Sequence, residues 1–487
     1  MISSRCVWFV TLLLGTLLSV ISEIPSGAVA VAVMPIPPGD RVSLSRHKNL
    51  ILLKDGWRRI DPEKQFEFGR PPPPFDDKHK RSDSTILVLI AALRETRLKD
   101  TLVSMIKNAT HPERIRFAIV QQNAPEDDDI ISEYCRAMGA PVDLDPNTFL
   151  PTDPNHGCPY LENIRVLRMR SSEARGPAYA RALGNKLVDF EHDDFCMQID
   201  AHTKVVKDWD VLLLEDWGKA ENEYGVLTTY PTNVHDLGKN TGNHWEMPHL
   251  CCATGRRGIM VNCQAKAAAN LEYPLLAPLW AAGLSFSKCH AEKVAPNDPN
   301  LKGVFAGEEY ARGVRLWTHG YDFYSNSRPW IGTYYGGEKG GKSFHWKTDQ
   351  INEAHERMAT LVKAPGSDRS PEALARLEPY GLGTKRTLEQ YIEFTGIDPR
   401  NGDTSQAKCA VVYVPWYKPT SSPTFPPGES TRSLRGEPEP FSAPGEPVAL
   451  HVRGQIVLVI LLVLVKSLSL WLLCTKSKVC GKTVRKD

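Results

Sequence analysis

Net charge is nearly absent from this chain: 59 lysines and arginines against 57 aspartates and glutamates leave +2 at neutral pH. A chain so balanced has little field with which to draw a polyanion, so nucleic acid is not an expected partner. The sequence has no G-x-G-x-x-G, which argues against a dinucleotide oxidoreductase, and no G-x-S-x-G nucleophile elbow. Its cysteines include no CxxC pair with zinc-site spacing. No internal repeat is present, which removes solenoids and propellers. What remains is a chain of 487 residues, enough for one large domain or two ordinary ones around a substantial core.

Two apolar segments frame the chain. Residues 6–21 follow Arg5 as their only upstream charge, and Ala28-Val29-Ala30 offers an A-x-A cleavage site. The run is short for a membrane span, so residues 1–30 read as a cleaved signal peptide, with an uncleaved anchor as the alternative. Residues 456–474 have the length of a membrane helix, interrupted by Lys466, and the segment 454–475 is read as one. Lys476, Lys478, Lys482, Arg485 and Lys486 follow it, whereas Arg453 and His451 precede it. The positive-inside rule then puts the tail 476–487 in the cytosol and the body in the lumen. The expected address is a single-pass protein of the Golgi or endoplasmic reticulum membrane. Between the segments lie Cys135, Cys158, Cys196, Cys251, Cys252, Cys263, Cys289 and Cys409. An even set in an oxidising compartment permits up to four disulfides, with pairing not readable. Asn108-Ala109-Thr110 is a glycosylation sequon in the body.

Residues 31–83 are rich in proline and charge and read as an extended leader. At Ser84 the character changes. Thr85 to Ile90 is a continuous apolar run of strand length, typical of a strand covered on both faces. Residues 98–108 read as an amphipathic helix and 115–120 as a second strand, which together make a βαβ unit with a right-handed crossover. A further strand at 164–168, a helix at 176–189 and a strand at 195–199 continue the alternation. Helices are expected at 350–363, 370–377 and 387–395. The body, residues 84–416, is therefore an α/β domain with a mostly parallel central sheet. Residues 417–453 are dominated by Pro, Ser, Gly and Glu and read as a stalk between body and membrane.

The strand at 195–199 ends in Asp200-Ala201-His202. The carboxyl ends of strands are where ligands bind in α/β proteins, and extended residues i and i+2 point to the same side. A carboxylate oxygen with an imidazole nitrogen suits a borderline cation such as manganese. Farther on, Gly307-Glu308-Glu309 sets two carboxylates at a helix start, where they cap the helix or handle an acceptor hydroxyl.

Several segments in a fixed order resemble the GlcNAc-transferases that modify hydroxyproline or Thr/Ser of polypeptides, named for the Skp1-type enzyme. They are more distantly similar to the polypeptide GalNAc-transferases. The segments are Ile90-Ala91-Ala92-Leu93-Arg94-Glu95, Arg175-Gly176-Pro177 with Ala180-Arg181, and Gln198 to His202 with Trp209-Asp210. Ala282 to Phe286, Phe305 to Glu309, Trp317 to Asp322 and Gly381 to Thr387 with Gly396-Ile397-Asp398 complete the set. The resemblance implies a GT-A-type nucleotide-sugar-binding fold and retaining transfer of GlcNAc from UDP-GlcNAc, assisted by Mn2+ or another divalent cation. Asp200 and His202 match the metal-binding D-x-H and gain a catalytic role through the ion. Ala91, Arg94 and Glu95 match the uridine-binding position, and Arg175 and Arg181 the segment bordering the donor. Glu308 and Glu309 match the acidic motif near sugar and acceptor, as orienting groups rather than a nucleophile. The sequence departs from the family where a further histidine ligand is expected. Pro329 to Tyr335 contains none, and His345 is the candidate substitute. A lumenal body shifts the expected acceptor from a cytosolic protein to Thr or Ser of a mucin-like glycoprotein. A non-catalytic relative that binds sugar nucleotide or glycoprotein, or transfer from UDP-GalNAc, are the alternatives.

Overall fold

A computed structural model describes residues 47–53, 56–238, 245–263, 265–336 and 348–417. The apolar run after Ser84 forms β1 (Ile86–Leu93), whose first five residues are all buried because layers cover both faces. It is followed by α1 (Leu98–Asn108), within the expected bounds, and β2 (Ile115–Asn123). Next come α2 (Ile130–Ala137), capped by the Asp129 carboxylate, and β3 (Ile164–Arg170). The expected helix 176–189 is shorter: α3 spans Pro177–Gly184 and yields to a 3-10 turn, Asn185–Leu187. Asn185 explains the ending, because its side chain bonds Glu292 and the Asn297 N–H rather than leaving the helix free to continue. Then come β4 (Phe195–Asp200), α4 (Trp209–Lys219), β5 (Gly225–Thr228), β6 (Leu275–Ala277) and β7 (Leu284–Lys288). The body continues through α5 (Glu308–Thr318), β8 (Asp322–Ser325), α6 (Thr348–Leu361) and α7 (Leu388–Thr395).

One eight-stranded sheet runs in the order β6-β8-β5-β7-β4-β1-β2-β3. The strands β4, β1, β2 and β3 are mutually parallel, with Ala91 of β1 in register with Asp200 of β4. Across β4 the pattern changes. β7 lies antiparallel to both β4 and β5, β8 is parallel to β5, and β6 is antiparallel to β8. The expected mostly parallel sheet is found: β8, β5, β4, β1, β2 and β3 run in one direction, and β7 and β6 run against them. The reversal follows from β7, which enters the sheet between β4 and β5 from the opposite end, after the excursion that carries β6.

The described part of the proline-rich leader is woven into the body. Its strand Leu50–Leu53 pairs with Gly56–Arg59 and with Lys266–Ala269. Pro71 and Pro72 are buried, and the Pro72 carbonyl accepts the Glu223 N–H at 2.9 Å. At the other end, the buried Arg386 guanidinium binds the Asp322 carboxylate at 2.7 Å and the carbonyls of Trp317, Tyr321 and Val414. Four disulfides join Cys135 to Cys158, Cys196 to Cys289, Cys251 to Cys409 and Cys252 to Cys263. The sequon residue Asn108 donates its side-chain amide to the Ser104 carbonyl at 2.9 Å and the Val205 carbonyl at 3.4 Å. Among the described residues no helix is long and apolar enough to cross a membrane. The signal segment 1–30, the stalk, the span 454–475 and the tail fall outside the described residues.

Candidate active site

The site gathers at the carboxyl ends of β1 and β4, where parallel strands leave a crevice. Asp200 closes β4 with its side chain about one-third exposed, at 32%. Gly283, just before β7, passes close beside it: a Cβ there would lie 3.6 Å from Asp200 Oδ2 and 2.9 Å from Pro231. Only a residue without a side chain lets that turn approach the acid.

His202 follows at the same end, and its Nδ1 lies 3.1 Å from Glu95 Oε2. With Nδ1 engaged by a carboxylate, Nε2 is the ring nitrogen left to meet a cation, as in carboxylate–histidine–metal arrangements. Glu95 also accepts the Arg97 N–H at 2.9 Å, so the carboxylate is itself held. Burial pushes the His202 pKa down, but Glu95 and Asp200 outweigh it and hold the value above that of a free imidazole. Burial likewise raises Glu95, yet the His202 bond and the Arg97 N–H leave it below an ordinary carboxylate. The segment 331–335 encloses the same histidine. Thr333 Oγ1 and the Tyr334 N–H both donate to the His202 carbonyl, at 3.3 and 3.2 Å. The Tyr334 ring is flanked by the Arg97 guanidinium at 4.7 Å and the Lys204 ammonium at 5.7 Å.

Arg181, on α3, joins the acidic residues. Its guanidinium reaches Glu308 Oε1 at 2.5 Å and Asp200 Oδ1 at 3.5 Å. Burial disfavours its charge, but Glu308 and Asp200 more than offset that and raise its pKa. Burial raises Glu308 against the pull of Arg181. Glu309 points elsewhere. It accepts the Ala282 N–H at 2.8 Å, the Tyr230 hydroxyl at 2.5 Å and the Asn262 amide at 3.3 Å. Burial nevertheless lifts its pKa to about 7.

Arg175 is exposed, with no carboxylate partner among the described residues, and its ring contact is Tyr179 at 5.6 Å. Its carbonyl accepts the Gly303 N–H at 2.7 Å. The next residue, Gly176, has φ +92° and touches Gly303, so a side chain there meets both strain and backbone. Arg94, expected at the uridine position, is engaged by carboxylates. Its guanidinium is taken by Asp127 at 2.6 Å and Glu126 at 2.6 Å, an ion-pair fork that holds the turn after β1. His345 lies outside the described residues. Among those described, no group of three His, Cys, Asp or Glu side chains could hold a metal ion. A Gly-x4-Gly-Lys-Ser string, residues 336–343, also meets the phosphate-loop consensus. It follows a three-residue strand of a small sheet, and residues 337–347 fall outside the description, so it adds nothing to the assignment.

Asp200, His202, Glu95, Ala91, Arg181 and Glu308 therefore converge, with Arg175 at the rim and Glu309 bracing the 282–284 turn. Tyr230 and Asn262 were not foreseen, because neither carries a spacing signal, and Gly283 and Tyr334 lie in segments that were singled out but were given no role of their own.

A family model described as Glycosyltransferase (GlcNAc) matches residues 85–401. The chain belongs to that family. The match takes in every described residue of the site. No curated protein matches the chain. Among solved structures, this chain is similar to GalNAc-T7 with UDP, GalNAc and Mn2+, at 14% identity and a TM-score of 0.38 over 63% of this chain and 54% of that one. It spans about half of that structure's length. It is also similar to the mannosyltransferase PcManGT from Pyrobaculum calidifontis in complex with GDP-Man and Mn2+. That likeness has 11% identity and a TM-score of 0.32, over 64% of this chain and 78% of that one.

Proposed function

We propose that this glycosyltransferase is of the Skp1-type, a retaining enzyme with a GT-A-type body that moves GlcNAc from UDP-GlcNAc to a Thr, Ser or hydroxyproline hydroxyl of a polypeptide. The observation that carries the reading is the pair Asp200 and His202 at the end of a core strand, with Nδ1 of the histidine fixed by Glu95. A carboxylate and an oriented imidazole are a fitting donor set for Mn2+, with diphosphate and water oxygens completing the shell. Such an ion supplies Lewis-acid neutralisation of charge on the departing diphosphate.

The remaining work belongs to the chain. Arg181 is aimed by Glu308 and holds Asp200 in place, so that the two acids share one cation. Arg175 offers an unpaired guanidinium fork of the kind that binds phosphate or uracil. Ala91, in register with Asp200, is a small residue at the same strand end, where a nucleotide would approach. Both glutamates are engaged, Glu308 through Oε1 by Arg181 and Glu309 by three donors. Both therefore act as orienting groups rather than as a covalent nucleophile. Four disulfides support an oxidising compartment, and with the apolar segment at 456–474 they favour a lumenal body on a Golgi or endoplasmic reticulum membrane. The acceptor is then a secreted or surface glycoprotein of mucin-like type.

A second reading, a relative that binds sugar nucleotide without transfer, rests on the absence of a third cation ligand among the described residues. The deciding assay incubates the whole chain with Mn2+, UDP-GlcNAc or UDP-GalNAc, and Thr- or Pro-rich peptides. Transfer from UDP-GlcNAc that falls about 10³-fold in Asp200→Ala supports the enzyme, on the scale of losing one charge-stabilising group. Transfer only from UDP-GalNAc changes the donor. UDP binding without transfer from any donor leaves the second reading. Protease protection of sealed vesicles tests the topology: a body digested without detergent overturns the lumenal placement.

A further inference from the structure

Behind the catalytic face, helix α5 carries two buried arginines three residues apart, Arg312 and Arg315, which therefore share a face. Both border a small, partly open cavity of about 20 Å³, lined also by Trp280, Asp298, Arg357 and Tyr380. This exceeds the roughly 10–15 Å³ that a single water needs. Its charges are unevenly matched. Arg357 pairs with Asp298 at 2.6 Å, Arg312 with Glu292 at 2.6 Å, and Glu308, also on the wall, with Arg181. Arg315 has no carboxylate partner among the described residues. Its Nη1 donates to the Pro296 carbonyl at 2.7 Å, and its guanidinium stands 5.5 Å from the centre of the Tyr380 ring.

Arg315 is only 2% exposed, yet its Nε and Nη2 have no hydrogen-bond acceptor among the described residues, and Arg312 Nε has none either. A buried cation without a counter-charge is among the costliest arrangements in a protein interior, and orphaned donors add to the cost. Water can accept from two of these donors but leaves the charge standing. A monatomic anion in the cavity can accept from the donors that face it and also supply the missing counter-charge.

We propose that this cavity is a halide site, with chloride as its cellular occupant, held by Arg315 and Arg312. Glu308 borders both this cavity and the candidate active site, so the ion would adjoin the site without being needed for its chemistry. Because α5 begins with Glu308 and Glu309, a filled site braces the helix that carries both. The site binds whether or not the chain transfers sugar, so its failure is distinguishable from failure of the proposed activity.

Two measurements on the whole chain test it. At constant ionic strength, replacing gluconate by chloride should raise the midpoint of thermal unfolding by about 2–4 °C in the wild type. Arg315→Met should show no such rise, because the charge that recruits the ion is gone. An equal rise in both proteins, or none in the wild type, overturns the proposal. Crystals of the wild type grown in bromide give the second readout, which does not depend on the variant folding. An anomalous peak within hydrogen-bonding distance of Arg315 Nε or Nη2 supports the site. A cavity that shows water alone in bromide overturns it.

Discussion

The strands β4, β1, β2 and β3 and the strands β6, β8, β5 and β7 meet along the pairing of β4 with β7, and the two halves are held by different means. The parallel half rests mainly on hydrocarbon: Ile86, Leu87, Val88, Leu89 and Ile90 of β1 and Phe117 to Val120 of β2 are buried, with Gln121, Gln122 and Gln198 as its buried polar groups. The mixed half buries polar groups. Ser285, Ser287 and Lys288 lie inside β7, Asp322 meets Arg386, and His249 bonds Ser325. Hydrocarbon burial tolerates imprecision, whereas a buried polar group must find its partner or lose several kcal/mol. The chemistry sits on the seam, with Asp200 and Ala91 from the apolar side and Gly283 from the polar one.

If the seam matters, the strongest perturbation is to cut its covalent link. Cys196 lies in β4 and Cys289 follows β7, 93 residues apart. Removing the bridge in Cys196→Ala/Cys289→Ala should lower stability by about 4–5 kcal/mol in the chain-entropy picture, measured by urea unfolding. The Cys135–Cys158 bridge spans 23 residues within the parallel half, and its removal should cost about 3–4 kcal/mol. A reversed order would mean that the seam is already rigid without its disulfide.

The polar half should also be the half that acid attacks first. His249 is fully buried between Ser325 Oγ at 3.0 Å and the Cys409 carbonyl at 2.9 Å, and burial lowers its pKa to about 4. Its folded value is below the roughly 6.5 of an unfolded imidazole. The neutral ring therefore favours the fold above pH 6.5, and that contribution is lost as pH falls towards 4. The loss amounts to about 3 kcal/mol, visible as a falling unfolding midpoint between pH 6.5 and 4 that flattens in His249→Asn. A slope unchanged by the substitution would place the acid sensitivity elsewhere.

The same contrast explains what could be read from the sequence. β1, α1 and β2 were legible because periodicity and continuous apolar runs are local signals, and α1 matched its expected span. The D-x-H pair was legible because it is local, although Asp200 ends β4 and Ala201 and His202 form a turn rather than the extended chain that was expected. β7 was not, since a buried strand reading Leu-Ser-Phe-Ser-Lys announces nothing until Lys288 meets Asp76 and Glu223. The leader strand Leu50–Leu53 was missed because its partner, Lys266–Ala269, lies more than two hundred residues away. Arg94 was assigned to the nucleotide because its neighbours matched a motif. In the structure its guanidinium meets Asp127, 33 residues on, and no spacing rule connects them.

Glu95 is the residue at which this comparison becomes sharpest, and with the smallest expected effect. It belongs to the apolar half by position, just beyond β1, but behaves as a polar-half residue, taking His202 Nδ1 at 3.1 Å and the Arg97 N–H at 2.9 Å. Read as a uridine contact, its loss should weaken UDP binding in the absence of cation. Read as the group that orients His202, Glu95→Gln should leave cation-free UDP binding unchanged and weaken Mn2+ binding about 10–100-fold. Titration of Mn2+ by water-proton relaxation, with and without UDP, separates the two. The fold should be nearly indifferent, because the side chain is partly exposed and the amide keeps the same shape. A variant that loses UDP affinity without Mn2+ would return Glu95 to the nucleotide and leave His202 oriented only by the hydrogen bonds from Thr333 and Tyr334 to its carbonyl.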